Sequence, residues 1–346
     1  VARHGAVVVE GAKADAFFPG LLARVEALQH LTEPAPSREL SVARLKRALP
    51  DPVRRIDLHE LVDAEAMRVV ARLSDGGRYP PGERVAGAEA YRTTLERYQT
   101  DCDTLLHLLA VGAFHDEAGA HARVWVRTLH RLLNVGGNGG PGPELHRYPA
   151  LLALSAAGCA AVLAGQDDLL GRLLLEPTVA EPGPSARGAA GEARPAVLAL
   201  RPDDVLGDGG LLNALAGEPH PPSRVQMAHS TWLRERLRDV LAEPAADSER
   251  AVTEAFDRFE YLTALLHADL SETPVTLGEF TLPDRWDGEG RLRVAAHVQA
   301  GFSEGWPMLR SGAFGGEIQR AHTAAAVVDL LCAERYQEAV GREPFR

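Results

Sequence analysis

Residues 148–163 read YPALLALSAAGCAAVL, without a single charged side chain. Tyr148 to Leu163 is apolar around the whole circumference of a helix and rich in alanine and glycine. A helix with no face for water belongs at the centre of a helical body, closely approached by its neighbours. The uncharged run from Pro149 to Gly165 reaches the lower edge of a membrane span, but alanines, glycines and a serine dilute it. A buried helix is therefore expected, with no membrane crossing.

The sequence on both sides of this helix carries the same message. Helical spacing predicts further helices over about 86–112, 118–134, 144–164, 166–175, 223–242 and 247–270. In the last of these, Phe256, Phe259, Leu262, Leu266 and Leu270 step by three or four and form one apolar stripe. Ser37 is a suitable cap for a helix through Ala48, which Leu49-Pro50-Asp51-Pro52 stops, and the next runs from Val53 to Leu73 before Asp75-Gly76-Gly77. Val135–Pro143 and Glu176–Arg194 are dominated by turn and small residues and read as surface loops. After Leu270, alternation over Val275–Leu277 and Glu279–Leu282, the turn Asp287–Gly290 and Leu292–Ala295 predict a small hairpin near the C-terminus. A final helix covers about Gly316 to Val340.

The N-terminus differs. Ala6–Val9 reads as a short buried strand and Asp15 caps a helix reaching His30, a βα unit whose partner strands are expected upstream of Val1. The prolines of Glu33–Pro36 separate it from the rest. The expected fold class is thus mainly α, a multi-helix body with a residual N-terminal βα unit and a small hairpin. Its divisions are 1–32, the truncated end of another domain; 37–270, the helical domain; and 271–346, a small region with the hairpin and final helix. With 346 residues the chain is long enough to bury a sizeable core.

The net charge is −11, from 37 Lys+Arg against 48 Asp+Glu, which argues against a nucleic-acid partner drawn by the field of the whole molecule. Cys102, Cys159 and Cys332 are an odd number, far apart and without C-x-x-C spacing, so a reduced, cytoplasmic setting is expected.

Catalytic and metal patterns fail one after another. His59 and Asp63 stand one turn apart, but a zinc helix needs histidine at the second place. Gly136–Gly140 ends a helix, follows no strand and meets Pro141, so it does not read as a phosphate cradle. His107, His115, His121 and His130 are spaced by eight, six and nine, which stacks none of them on one face. Ser155 lacks the glycines of a nucleophile elbow. Asp167-Asp168 and Asp203-Asp204 read as carboxylates at helix starts, and Cys159 as a small core residue. No residue qualifies as catalytic, cofactor-binding or metal-ligating.

One charge cluster stands out: Arg38, Arg44, Lys46, Arg47, Arg54 and Arg55, six cations in eighteen residues of an acidic protein. Arg44, Arg47, Arg54 and Arg55 are candidate contacts to an anion or partner surface. The competing reading is a solvated face paired with Asp51, Asp57 and Glu60.

Particular strings add to this. Ala14-Asp15-Ala16-Phe17-Phe18, after the strand Val7 to Val9, resembles the last strand and helix of bacterial SIR2-like domains. Leu40 to Pro52, continuing through Arg55-Ile56-Asp57-Leu58-His59-Glu60-Leu61-Val62, looks like the region directly after that domain. Tyr148–Leu152 and Phe256–Leu262 resemble strings in the long helical C-terminal portions of the same proteins. The resemblance implies an NAD-consuming Rossmann-like domain upstream, joined to a helical portion that senses a trigger or controls assembly in anti-phage defence. NAD would be the cofactor of that missing domain and of no residue here. The implied partners are the upstream domain, further copies of the chain and a protein trigger. The alternative is a stand-alone helical scaffold or adaptor with no catalytic activity.

Overall fold

The computed structural model describes residues 36–79, 87–136, 144–182, 190–207, 212 and 227–341. The N-terminal βα unit, with Val7–Val9 and Phe17-Phe18, lies outside the described residues. The protein is mainly α, with one small antiparallel pair of strands among the described residues.

The helices are α1 (Arg38–Ala48), α2 (Arg55–Leu73), α3 (Ala88–His115), α4 (Ala122–Leu133), α5 (Tyr148–Leu163) and α6 (Asp167–Leu175). After the strands β1 (Thr178–Pro182) and β2 (Ala190–Pro195) come α7 (Ala196–Ala199), α8 (Pro202–Leu206), α9 (Ala228–Ala242), α10 (Glu249–Leu270), α11 (Arg293–Gln299), α12 (Pro307–Arg310) and α13 (Ile318–Gly341).

The all-apolar helix α5 takes the central place. Tyr148 through Val162 is buried, with α3, α4, α6, α9 and α10 packed around it. Small residues permit that crowding: a methyl group added at Gly158 would overlap the Phe259 ring of α10, and one at Gly112 would overlap Trp125 of α4. At the start of α5 the Tyr148 hydroxyl accepts hydrogen bonds from Gln99 Nε2 at 2.7 Å and Trp232 Nε1 at 2.9 Å, which fasten it to α3 and α9. The continuous core runs from Leu45 to Cys332 and so includes residues on both sides of 270. No helix among the described residues is long and apolar enough to cross a membrane.

Local chemistry explains the helix limits. Ser37 Oγ accepts from Leu40 N and starts α1; Ser248 Oγ accepts from Ala251 N and starts α10. Along α10, Phe256, Phe259, Leu262 and Leu266 are buried, while Leu270 at its end is exposed.

The strands are not where alternation puts them. Segment 275–295 holds 3-10 turns at Glu279–Thr281 and Pro283–Arg285 and then α11, with a single antiparallel bridge, Trp286 to Leu292, spanning the Asp287–Gly290 turn. Glu279, Phe280 and Thr281 are all buried, whereas a strand would turn every second one outward. Leu292, Ala295 and Val298 are buried at intervals of three, which suits the entry and body of a helix. The expected loop 176–194 instead supplies the sheet, with Val179 opposite Arg194 and Ala180 opposite Ala193. Its composition is poor in strand formers; neighbours hold it, since Asn134 Nδ2 donates to Thr178 O and Ala196 N to Pro177 O, both at 2.8 Å.

Candidate functional site

Two cations of the cluster, Lys46 and Arg55, line a cavity. Asp51 Oδ1 accepts from Val53 N at 3.0 Å and sets the 3-10 turn Pro52–Arg54, which redirects the chain from α1 into α2. The turn faces water: Val53 is 88% and Ile56 68% exposed, with Arg54 and Arg55 exposed between them and Arg44 and Arg47 exposed on α1. Arg54 lies 3.5 Å from Asp51. Arg44, Arg47 and Arg55 have no ion-pair partner among the described residues, so the pairing expected with Asp57 and Glu60 is not formed.

Beside the turn is an open cavity of about 760 Å³, bounded by Leu49, Pro50, Pro52 and Arg55 on one side and His115, Asp116 and His121 on the other, with Lys46 and Glu243 forming an ion pair at its edge. Asp116 builds the second wall. Its carboxylate accepts from His121 N at 2.9 Å and Trp125 Nε1 at 2.9 Å, holding the chain between α3 and α4. His121 is buried and meets the His59 ring edge-on, with centroids 6.1 Å apart. His59 Nε2 and His121 Nδ1 are buried and lack hydrogen-bond partners among the described residues. Burial, with Arg55, His121 and Arg127 close by, holds the His59 imidazole below its ordinary value against the opposing pull of Asp63.

The remaining candidates have other duties. Asp63 accepts from both Arg127 and Arg131 at 2.8 Å, which binds α2 to α4. His107 Nδ1 contacts Asp103 O at 2.9 Å, and His130 Nδ1 accepts from Thr178 N at 3.2 Å. Of the four spaced histidines, only His115 and His121 meet at the cavity. Among the described residues no group of three side chains is placed to hold a metal ion. Gly137–Gly140 falls outside the described residues. Ser155 is buried in α5, and Cys159 is a buried free thiol whose pKa burial pushes up.

The paired acids all lie in first helical turns, as expected, and two of them also reach distant residues. Asp167 accepts from Arg258 at 2.8 Å and Trp306 Nε1 at 2.7 Å, and Asp203 from Thr276 at 2.9 Å. A second, small cavity of about 110 Å³ brings His229, Ser230 and Glu260 together. Both nitrogens of His229 are engaged, with Gly207 O at 2.7 Å and Asp203 at 3.2 Å, while Ser230 is held by Glu260 and by Glu279 N. His229 is thus directed away from Ser230, whose hydroxyl donates to Glu260 instead.

The cavity eluded sequence reading because its walls come from residues near 50, 118 and 243, far apart along the chain. The exposed pair Val53 and Ile56, set between prolines and arginines, was the one local signal. Comparison with family models, with curated proteins and with solved structures finds no match to this chain.

Proposed function

We propose that this chain is the helical sensor, regulatory or oligomerisation portion of a SIR2-like NAD-consuming protein of anti-phage defence, working in a reducing cytoplasm. The observation that carries this reading is the α1–α2 edge, where Arg44, Arg47 and Arg55 are exposed and without an ion-pair partner among the described residues, with Arg55 lining an open cavity. Such an edge suits contact with an upstream domain, a second copy or a protein trigger. The SIR2-like strings at 40–62, 148–152 and 256–262 fall on α1, α2, α5 and α10, the framework that displays this edge. On this reading the NAD chemistry belongs to a separate SIR2-like domain and to no residue of the helical body.

A stand-alone helical scaffold or adaptor would use the same edge with no linked enzyme. The reading frame before the codon for Val1 discriminates between the two. Purified alone, this chain should neither bind nor hydrolyse NAD, and the protein extended upstream should release nicotinamide on incubation with NAD, read by chromatography. Nicotinamide release by this chain alone, abolished by a mutation within it, would sink the assignment; an extended protein without that activity would leave the adaptor.

A further inference from the structure

We propose that the His59–His121 contact is an acid-sensitive latch between α2 and α4: protonation of the pair drives the two rings apart, His121 into the adjoining cavity, and loosens the start of α2. The inference concerns how the α1–α2 edge is controlled, and it stands whether or not the chain serves a SIR2-like enzyme.

The latch brings two imidazoles together. His59 lies in the second turn of α2 and His121 stands immediately before α4, with ring centroids 6.1 Å apart and planes at 84°. His59 Nε2 and His121 Nδ1 are both out of reach of water and have no hydrogen-bond partner among the described residues. Neutral rings tolerate this, because each can carry its one proton on the other nitrogen and leave only a lone pair unanswered. An imidazolium has no such freedom. Both of its nitrogens carry protons, so the buried one would be a charged donor without an acceptor.

The surroundings set the sign. Around His59, burial opposes a second proton, as do Arg55 on its own helix and His121 and Arg127 from α4, while Asp63 favours it. Asp63 is already shared by Arg127 and Arg131. His121 stands at the positive end of α4, which also disfavours a cation. On the α3 side the Asp116 carboxylate is occupied by His121 N and Trp125 Nε1. The other charged or titratable groups at the cavity are Arg55, His115, Glu117 and the Lys46–Glu243 pair. The closed contact therefore suits a neutral pair and resists a charged one.

The cavity gives the charged state somewhere to go. His121 and Glu117 both line its open space of about 760 Å³, so a charged ring turned into it gains water and a carboxylate. Further along α2, Asp63 still holds Arg127 and Arg131, which confines the loosening to the first turns of α2 and to the Pro52–Arg54 turn that leads into them.

Hydrogen exchange on the full 346-residue chain, with rates corrected for the intrinsic effect of pH, tests the latch. From about pH 7.5 to about 5.5, protection over residues 55–62 and 121–126 should fall about tenfold relative to α5 and α10, because the open state takes up a proton that the closed state refuses. His59→Gln and His121→Gln, which keep a polar side chain that does not titrate, should each abolish that step. The unaltered chain supplies a reading that needs no variant: the His59 imidazole resonance, assigned through its contact with His121, should titrate below the ordinary histidine value. Protection that does not change with pH, a fall shared equally by α5 and α10, a step that survives both substitutions, or a His59 ring that titrates as an ordinary histidine overturns the latch. None of these readings involves NAD, so failure of the latch and failure of the SIR2-like assignment are told apart.

Discussion

Arginines at the two ends of this molecule lead different lives. Around α10 and α13, Arg234, Arg258, Arg285 and Arg320 each reach a carboxylate whose side chain is largely buried: Glu279, Asp167, Asp257 and Asp269. At the α1–α2 edge, Arg44, Arg47 and Arg55 reach none among the described residues. The buried pairs fasten irregular segments to regular ones, as Arg234 does when it holds the Glu279 turn and Arg258 when it meets the Asp167 carboxylate that also binds Trp306. Desolvation offsets most of the attraction in such pairs, so their value lies in specifying one arrangement; removing one partner, however, strands a charge. Arginines in water carry no such penalty and remain free for another molecule.

The contrast is broken most directly at Asp167. Asp167→Ala should lower the unfolding free energy by about 2–4 kcal/mol, because it leaves Arg258 and the Trp306 indole without their acceptor. Asp167→Asn, which keeps an acceptor for Trp306, should cost less. Urea denaturation reads both, and a loss below about 1 kcal/mol for the alanine variant would put this pair in the same class as the exposed edge.

A smaller effect separates the regions by pH. Burial pushes the Asp257 carboxyl up to about 6, with Arg285 opposing and Glu279 adding to the shift. Between about pH 4 and 6 the native state therefore holds a proton that the unfolded chain has released, and this group's contribution to stability falls as pH rises through that window, by roughly 2–3 kcal/mol. His267 works in the opposite sense. Burial lowers it to about 4, so the native imidazole stays neutral while the unfolded one is protonated, and stability rises with pH over about 4 to 6.5. The two slopes offset each other in the wild type. Asp257→Asn should make stability climb with pH across the window, and His267→Gln should make it fall, both read from denaturation midpoints against pH. Parallel profiles for all three proteins would mean that neither group is buried as described.

Sequence reading went furthest where one element's own residues settle its state. The charge-free α5, the Ser37 cap and the stripe through Phe256, Phe259, Leu262 and Leu266 each contain their explanation. It failed where neighbours choose. Residues 279–282 alternate like a strand but are drawn wholly inside by Ser230, Thr231 and Arg234, and 178–195 pairs despite weak strand formers because α4 and α7 hold its ends. The edge was half legible: the arginines were visible as a run, but their lack of partners and the cavity behind them depend on α3, α4 and the residue after α9.

The smallest expected effect on folding is also the sharpest statement about the edge. Reversing Arg44, Arg47, Arg54 and Arg55 to glutamate changes the local charge by eight units, yet the one pair lost among the described residues is Arg54 with Asp51, both substantially exposed. Exposed pairs contribute about 0–1 kcal/mol, so the melting temperature should move by only a few degrees at most. Some loss is built in, because the new glutamates sit near Glu39, Asp51 and Asp57 and repel them, and salt should remove that part by screening. On the proposed reading association behaves otherwise: oligomer formation should weaken, most visibly at low salt, where a charged edge speeds encounter by orders of magnitude. Sedimentation and thermal melts on the same samples separate the two. A steep fall in melting temperature would place these arginines in an internal network like that of Arg258 and Arg285, while stability and association both unmoved would make the edge a solvated face.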